Sequence, residues 1–161
     1  MKLAIPNFER PSQLTLVLLL YSWIAGYLLG RPLSLLFLLP LGLISSIVPA
    51  QILGVIAFPI LFSGRFFVVA FFFTWLTEGP WIQRAFVAWI TTIVAAWLEI
   101  GTAGSVPEFA AFMLFTLLLP GTVHLGMALF GSWVANKYLW HPNMQRARDL
   151  IFRIVILPLP G

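Results

Sequence analysis

His124 is the residue of this 161-residue chain that best suits chemistry inside an apolar segment. It follows Pro120 by four residues, and a proline ring without an N–H disrupts the hydrogen bonds of a helix. A carbonyl freed there would join Thr122 and His124 in a polar site that could serve as a proton relay, a haem or pigment ligand, or a substrate contact. The simpler interpretation is a histidine that bonds to a neighbouring helix. A second haem-ligating histidine is not expected, because His141 lies at the predicted membrane edge.

Three further charged residues flank the helix predicted at 81–99. Glu78 and Arg84 lie at its start, at a spacing that permits either an ion pair that fixes the helix start or a polar site at the cytoplasmic face. Glu99 lies at its end, about 22 Å from Arg84 at the helical rise, so the two cannot touch within that helix. Glu99 and Glu108 flank a small-residue loop and could share a proton or bind a cation, although solvated loop charges are the simpler interpretation.

The role of Arg65 depends on how its segment is interpreted. Ser63-Gly64-Arg65 interrupts an apolar run, and we predict a loop there that places Arg65 near the outer membrane surface. If residues 51–76 instead form one span, Arg65 lies in its middle, where a charge costs at least about 2.5 kcal/mol and marks a functional site. The nearby prolines favour the loop. The candidate residues of a substrate or proton pathway are His124, Arg84, Glu99, Arg65 and Glu78.

The composition excludes several other chemistries. The chain has no cysteine, which excludes disulfides, thiolate metal sites and cysteine nucleophiles. Aspartate occurs once, at Asp149 near the C-terminus, which excludes intramembrane aspartyl chemistry. No glycine-rich phosphate loop, G-x-S-x-G elbow or H-E-x-x-H metal motif occurs in the sequence. We therefore expect no catalytic constellation, no metal and no cofactor.

The elements that must position these residues are membrane helices. Hydrophobic residues make up 61% of the chain and charged residues 9%, against about 25% charged residues in a soluble domain. The apolar residues form long blocks, as a lipid-facing chain requires. The nine Lys and Arg residues lie singly between these blocks apart from a C-terminal cluster, which follows the positive-inside rule rather than the pattern of a nucleic-acid-binding patch. The lipid bilayer is the expected partner, and nucleic acid is not.

The chain is predicted to form one transmembrane domain, an all-α polytopic integral membrane helical bundle. Its parts are a cytoplasmic head, the membrane helices and a basic amphipathic tail, at residues 1–13, 14–140 and 141–161. Both ends of the chain carry Lys and Arg and are expected in the cytoplasm, which requires an even number of crossings. The membrane is expected to be the cytoplasmic (inner) membrane or an internal one such as the thylakoid.

Helix boundaries in the membrane region are predicted from prolines, glycines and charges. The first helix, 14–30, is expected to end at Arg31-Pro32 and to be a membrane helix rather than a cleaved signal peptide. Residues 33–62 are predicted to form two short or kinked helices that meet near 49–51. Further helices are expected at 66–76, 81–99 and 109–140. The count is about six membrane-embedded helices, with four or five as alternatives, one of them four crossings plus a re-entrant hairpin.

Two patterns describe the surfaces of these helices. In the tail, Ala147, Leu150, Ile151 and Ile154 fall on one helical face, and Gln145, Arg146, Asp149 and Arg153 fall on the other. Such a basic amphipathic helix is predicted to lie on the membrane surface. In the membrane region, small residues recur at four-residue spacing and would let helices approach closely: Gly26 with Gly30, and Gly131 with Ala135.

Three hypotheses for the function remain open. The first is a non-enzymatic subunit, or an assembly or support factor, of a larger membrane complex. Few buried polar groups and short loops favour it. The second is a small transporter or channel component, whose path is lined by the broken helices within 33–62 and 109–140. The third is a membrane-bound enzyme or a redox or pigment protein that uses His124, Arg84 and Glu99. Whichever hypothesis holds, a membrane-protein partner or a homo-oligomer is expected besides lipid.

Overall fold

The structure, a computed structural model, describes residues 13–77, 79–101, 119–138 and 141–153. These residues form five helices: α1 Gln13–Ile44, α2 Ala50–Thr77, α3 Trp81–Gly101, α4 Leu119–Tyr138 and α5 Pro142–Ile151. No strand occurs within these ranges. The all-α fold predicted from the sequence is confirmed for the described part of the chain.

Three of the described helices are long and apolar enough to cross a membrane. Their candidate spans are Thr15–Ile44, Ala50–Thr77 and Trp81–Leu98. In α3 the exposed large side chains are apolar and recur every four residues, so they form one continuous stripe: Ile82, Phe86, Ile90, Val94 and Leu98. A stripe of this kind suits hydrocarbon, which makes these helices compatible with an integral membrane protein.

Helix α1 continues through the residues at which the sequence predicted an end. Arg31 and Pro32 lie inside its 32 residues, as does Pro40, so the predicted helix end at Arg31-Pro32 is wrong. A proline removes one backbone hydrogen bond, but a long apolar helix retains the others, and a neighbouring helix supports the segment. Arg31 itself is exposed on the surface of α1.

Helix α2 likewise joins two predicted segments. Ser63-Gly64-Arg65 lies inside this 28-residue helix, so the predicted loop is wrong, and Arg65 lies near the middle of α2. The turn between α1 and α2 occupies residues 45–49, next to the predicted meeting point near 49–51. Because α1 and α2 are each one continuous helix, the predicted count of six is not confirmed.

Helix α2 is the central element of the described bundle. It packs against α1, α3 and α4, and α3 also packs against α4. Helices α2 and α4 run in the same direction, because His124 near the start of α4 bonds to Pro59, whereas Ser132 further along bonds to Thr74. The buried core of the bundle includes α2 residues such as Val69 and Phe73, both fully buried.

Glycines allow the neighbouring helices to reach the backbone of α2. A Cβ added to Gly30 would lie 2.5 Å from Cα of Arg65, and one added to Gly26 would meet Val69, so α1 runs antiparallel to α2. A Cβ added to Gly131 would collide with the carbonyl group of Phe67. The close approach predicted for these stripes is confirmed, and it occurs between helices of a single chain.

Helix α5 packs against the end of the bundle through part of its apolar surface. Met144, Ile151 and Phe152 contact a buried cluster that includes Leu18 and Trp75. Of the residues predicted to form the apolar face, Ala147 and Leu150 are instead exposed, and Ile154 lies outside the described residues. The apolar side chains of α5 therefore point in two directions: residues 144, 151 and 152 toward the bundle, and residues 147 and 150 away from it.

Candidate functional site

Two of the five predicted pathway residues lie beyond what the structure describes. Glu78 is outside the described residues, so the predicted ion pair with Arg84 is not tested. The backbone of Glu99 lies in the last turns of α3, but its side chain is outside the described part. Glu108 also lies outside the described residues. The structure places the remaining three, His124, Arg84 and Arg65, at separate positions around α2.

Arg84 packs over the turn between α2 and α3. Its guanidinium carbon lies 5.3 Å from the ring centroid of Phe73, a cation–π distance. Gly79 in the turn has a φ of +146°, in the region that favours glycine, and a Cβ there would lie 3.2 Å from an Nη atom of Arg84. The backbone N–H of Arg84 donates to the carbonyl oxygen of Pro80 at 3.1 Å, which starts α3. Arg84 therefore covers the turn that reverses the chain.

His124 joins α4 to α2. Its Nε2 donates a hydrogen bond of 2.9 Å to the carbonyl oxygen of Pro59, since a carbonyl accepts only. Its ring stacks on Phe66 with 4.2 Å between centroids and 8° between planes. The side chain of His124 is buried, whereas Thr122 is exposed. The polar site predicted from a freed carbonyl, Thr122 and His124 stays a prediction. The simpler interpretation of His124, a bond to a neighbouring helix, is confirmed.

A second polar contact between α2 and α4 was not predicted from the sequence. Thr74 donates its hydroxyl proton to Oγ of Ser132 at 2.8 Å, and Ser132 donates to the carbonyl oxygen of Ala70 at 3.3 Å. Both hydroxyl side chains are buried. The sequence offered one signal: Ser132 directly follows Gly131, whose lack of a side chain brings α4 close enough to α2 for the bond to form.

A third polar contact explains how α2 continues through Ser63 and Gly64. The hydroxyl of Ser63 donates to the carbonyl oxygen of Ile60 at 2.7 Å, the carbonyl that the N–H of Gly64 would use in a regular helix. The N–H of Gly64 donates to Oγ of Ser34 on α1 at 2.9 Å. The hydroxyl of Ser63 is thus bonded within α2, and the N–H of Gly64 is bonded across the α1–α2 contact.

Arg65 faces α1 from the middle of α2. Its guanidinium carbon lies 5.4 Å from the ring centroid of Trp23 and 5.5 Å from that of Tyr27. The next residue, Phe66, faces α4, where it stacks on His124. The two candidate residues Arg65 and His124 therefore lie on different sides of α2 and do not form one site.

The contacts of the described polar side chains named above are those of helix packing and of a partly buried arginine. Within the described ranges no group of three or more His, Cys, Asp or Glu side chains could hold a metal ion. No known protein family, no curated protein and no solved structure matches this chain.

Proposed function

We propose that the chain is a non-enzymatic subunit, or an assembly or support factor, of a larger membrane complex. The observation that carries this proposal is that three buried polar contacts each join two neighbouring helices. His124 bonds to a backbone carbonyl of α2, Thr74 bonds to Ser132, and Ser34 accepts from a backbone N–H. A transport path needs polar groups that face water, whereas these groups hold helices together.

The half of the α1–α2 pair next to the turn at 45–49 supports a partner within the membrane. Residues 32–64 include no Lys, Arg, Asp or Glu. Large aliphatic side chains are exposed along both helices in this half, with Leu43 at 82% and Val55 at 61% exposure. Gly54 on α2 has open space where a side chain would begin. Such a surface would accept the helices of a membrane-protein partner, with lipid covering the rest.

The arrangement in the membrane is part of the same proposal. We place α1 to α4 as four crossings, the lower number that the sequence allowed, since α4 has 20 residues and is about 30 Å long. Both termini then lie on the same side, and the positive-inside rule assigns that side to the cytoplasm. Helix α5 lies at that surface, with Arg146 and Arg153 exposed. The membrane is the cytoplasmic one or an internal one such as the thylakoid.

Extraction of the tagged native protein in a mild detergent tests the proposal. The mass and composition of the purified species are measured. A stoichiometric complex with another membrane protein is the expected result. A monomer, or an oligomer of this chain alone, would contradict the subunit proposal. Gly54→Leu is a variant matched to this experiment, because it alters the exposed surface of α2 at a position where a Cβ would meet open space.

A second candidate function, a small transporter or channel component, is favoured by one observation. Arg65 lies within a continuous apolar helix, and a charged side chain inside a membrane helix is by default a candidate for a pathway. For this function, Arg65→Gln abolishes flux in a folded protein, whereas His124→Ala lowers stability first. A redox or pigment role for His124 has less support, because its ring is buried and stacked on Phe66. A colourless preparation that retains its partners would argue against that role.

A further inference from the structure

Three residues near the end of α4 form an exposed strip. Phe130, Trp133 and Lys137 follow one another at spacings of three and four residues, so they share one face of the helix. Phe130 is 47% and Trp133 44% exposed, and their rings stack with 6.0 Å between the centroids. Lys137 is also exposed. The strip is therefore aromatic on the side of the helix middle and cationic at the helix end.

The cation of this strip lies at the depth of lipid headgroups in the proposed membrane arrangement. Helix α4 has 20 residues, so its length of about 30 Å equals the thickness of the hydrocarbon core. Lys137 is the last residue but one of α4, and Trp133 lies one turn further in. Lysine at the cytoplasmic boundary and tryptophan just inside it are the positions that both side chains favour in membrane proteins.

Lys137 packs against aromatic rings rather than against a carboxylate. Its Nζ atom lies 5.2 Å from the ring centroid of Trp133 and 5.9 Å from that of Tyr138, which is 48% exposed. Ring faces attract an ammonium group but do not neutralise its charge. Among the residues that the structure describes, no carboxylate pairs with Lys137. The end of α4 therefore presents a positive charge that an anion can neutralise.

The aromatic surface continues from the strip onto α2. The ring centroid of Phe130 lies 5.4 Å from that of Phe67, and Phe67 stacks on Phe71 at 6.2 Å. Both α2 rings are half-buried, so part of each adds to the apolar surface beside the strip. A molecule that joins an anionic group to hydrocarbon chains matches this surface, whereas a soluble anion would make no use of the rings.

We propose that Lys137, Trp133 and Tyr138 bind the phosphate group of an anionic phospholipid of the cytoplasmic leaflet. The ammonium group donates charge-assisted hydrogen bonds to the phosphate oxygens, and the Tyr138 hydroxyl adds one donor. The negative surface potential of an anionic leaflet adds to the attraction. An acyl chain lies along Trp133 and Phe130. The proposal rests on the membrane arrangement proposed above but not on the subunit role, and it holds for a transporter as well.

Native mass spectrometry of the full-length protein, extracted in mild detergent, tests this site. We expect one phosphatidylglycerol molecule to remain bound through stepwise delipidation, and phosphatidylcholine with the same acyl chains to be lost. Lys137→Gln weakens phosphatidylglycerol binding by roughly tenfold, since it removes charge-assisted hydrogen bonds, whereas Lys137→Arg retains the lipid. Trp133→Leu keeps an apolar side chain but not the ring, and weakens binding by about threefold. Arg146→Gln, which removes one exposed cation of α5, is the matched control and retains the lipid.

Thermal unfolding in detergent with added ligand separates the lipid from a free anion. Phosphatidylglycerol raises the midpoint of the wild type and of Arg146→Gln more than that of Lys137→Gln, whose exposed position leaves the fold intact. Inorganic phosphate at millimolar concentration leaves all three midpoints unchanged. A midpoint raised equally by inorganic phosphate would overturn the lipid as the source.

Four further results are decisive. Equal retention of phosphatidylglycerol and phosphatidylcholine, or equal retention by wild type and Lys137→Gln, would overturn the site. A loss in Arg146→Gln as large as in Lys137→Gln would overturn it too, because the basic surface as a whole would then attract the lipid. A co-purified membrane protein that Lys137→Gln releases would assign the strip to a protein interface instead. A chain that purifies alone but retains phosphatidylglycerol supports the site and contradicts only the subunit role.

Discussion

The ring of His124 stacks on Phe66 at 4.2 Å while its Nε2 bonds to the carbonyl oxygen of Pro59. Pro59 and Phe66 are seven residues apart on α2, so a single side chain of α4 contacts two successive turns of the central helix. The contact combines a directional hydrogen bond with the packing of two rings. His124 is therefore a structural contact between α2 and α4.

Substitutions at His124 separate the contribution of the hydrogen bond to Pro59 from that of the ring packing on Phe66. We expect His124→Ala to lower the free energy of unfolding by about 2–4 kcal/mol, because it removes both the ring contact and the hydrogen bond and leaves a cavity. His124→Phe keeps a ring on Phe66 and loses only the hydrogen bond, at about 1 kcal/mol. Thermal unfolding of the purified protein in detergent measures the order. Midpoints that match wild type in both variants would contradict the structural role.

Two glycines of α4 form a matched pair for testing the α2–α4 contact. A Cβ at Gly131 would meet the backbone of Phe67, whereas Gly126 has nothing within 4 Å of that position. We expect Gly131→Leu to separate the two helices and abolish a monodisperse elution peak in size-exclusion chromatography. Gly126→Leu, which adds the same side chain at an exposed position, retains the wild-type peak. A normal peak for Gly131→Leu would show that α4 does not approach α2 there.

The hydroxyl pair of Thr74 and Ser132 can be measured by a double-mutant cycle. Thr74→Val and Ser132→Ala each remove one partner of the 2.8 Å bond, and the double variant removes both. We expect a coupling energy of about 0.6 kcal/mol, the usual value for hydrogen bonds between membrane helices. Ser132→Ala has the larger single effect, because Ser132 also donates to Ala70. Additive effects of the two substitutions on unfolding would contradict the bond.

The turn between α2 and α3 requires a glycine at position 79. We expect Gly79→Ala to destabilise the fold by about 1 kcal/mol or more, because φ is +146° and a Cβ would crowd Arg84. Gly54→Ala is the control: it lies inside α2 with open space around it, and alanine favours a helix over glycine by about 1 kcal/mol. The two variants should therefore shift the unfolding midpoint in opposite directions. A Gly79→Ala midpoint at or above the wild-type value would contradict the turn geometry.

Much of the fold follows from local sequence patterns. The apolar blocks predicted helices long enough for a membrane, and the charged and glycine-containing stretch before Trp81 marked the start of α3. The stripes that include Gly26, Gly30 and Gly131 predicted close approach, because a missing side chain is a property of the sequence itself. For His124, the sequence supported a bond to another helix but not the identity of its partner.

The sequence by itself determined the helical class, the apolar surface and the small-residue stripes, since these depend on side-chain type and spacing alone. Only the tertiary structure decided that α1 continues through Arg31-Pro32 and α2 through Ser63-Gly64-Arg65. Local propensity favours a break at both places, but contacts with the neighbouring helix compensate. Ser34 accepts the N–H of Gly64, and the rings of Trp23 and Tyr27 hold the guanidinium of Arg65. These partners are about 30 or more residues away along the chain, and only folding brings them together.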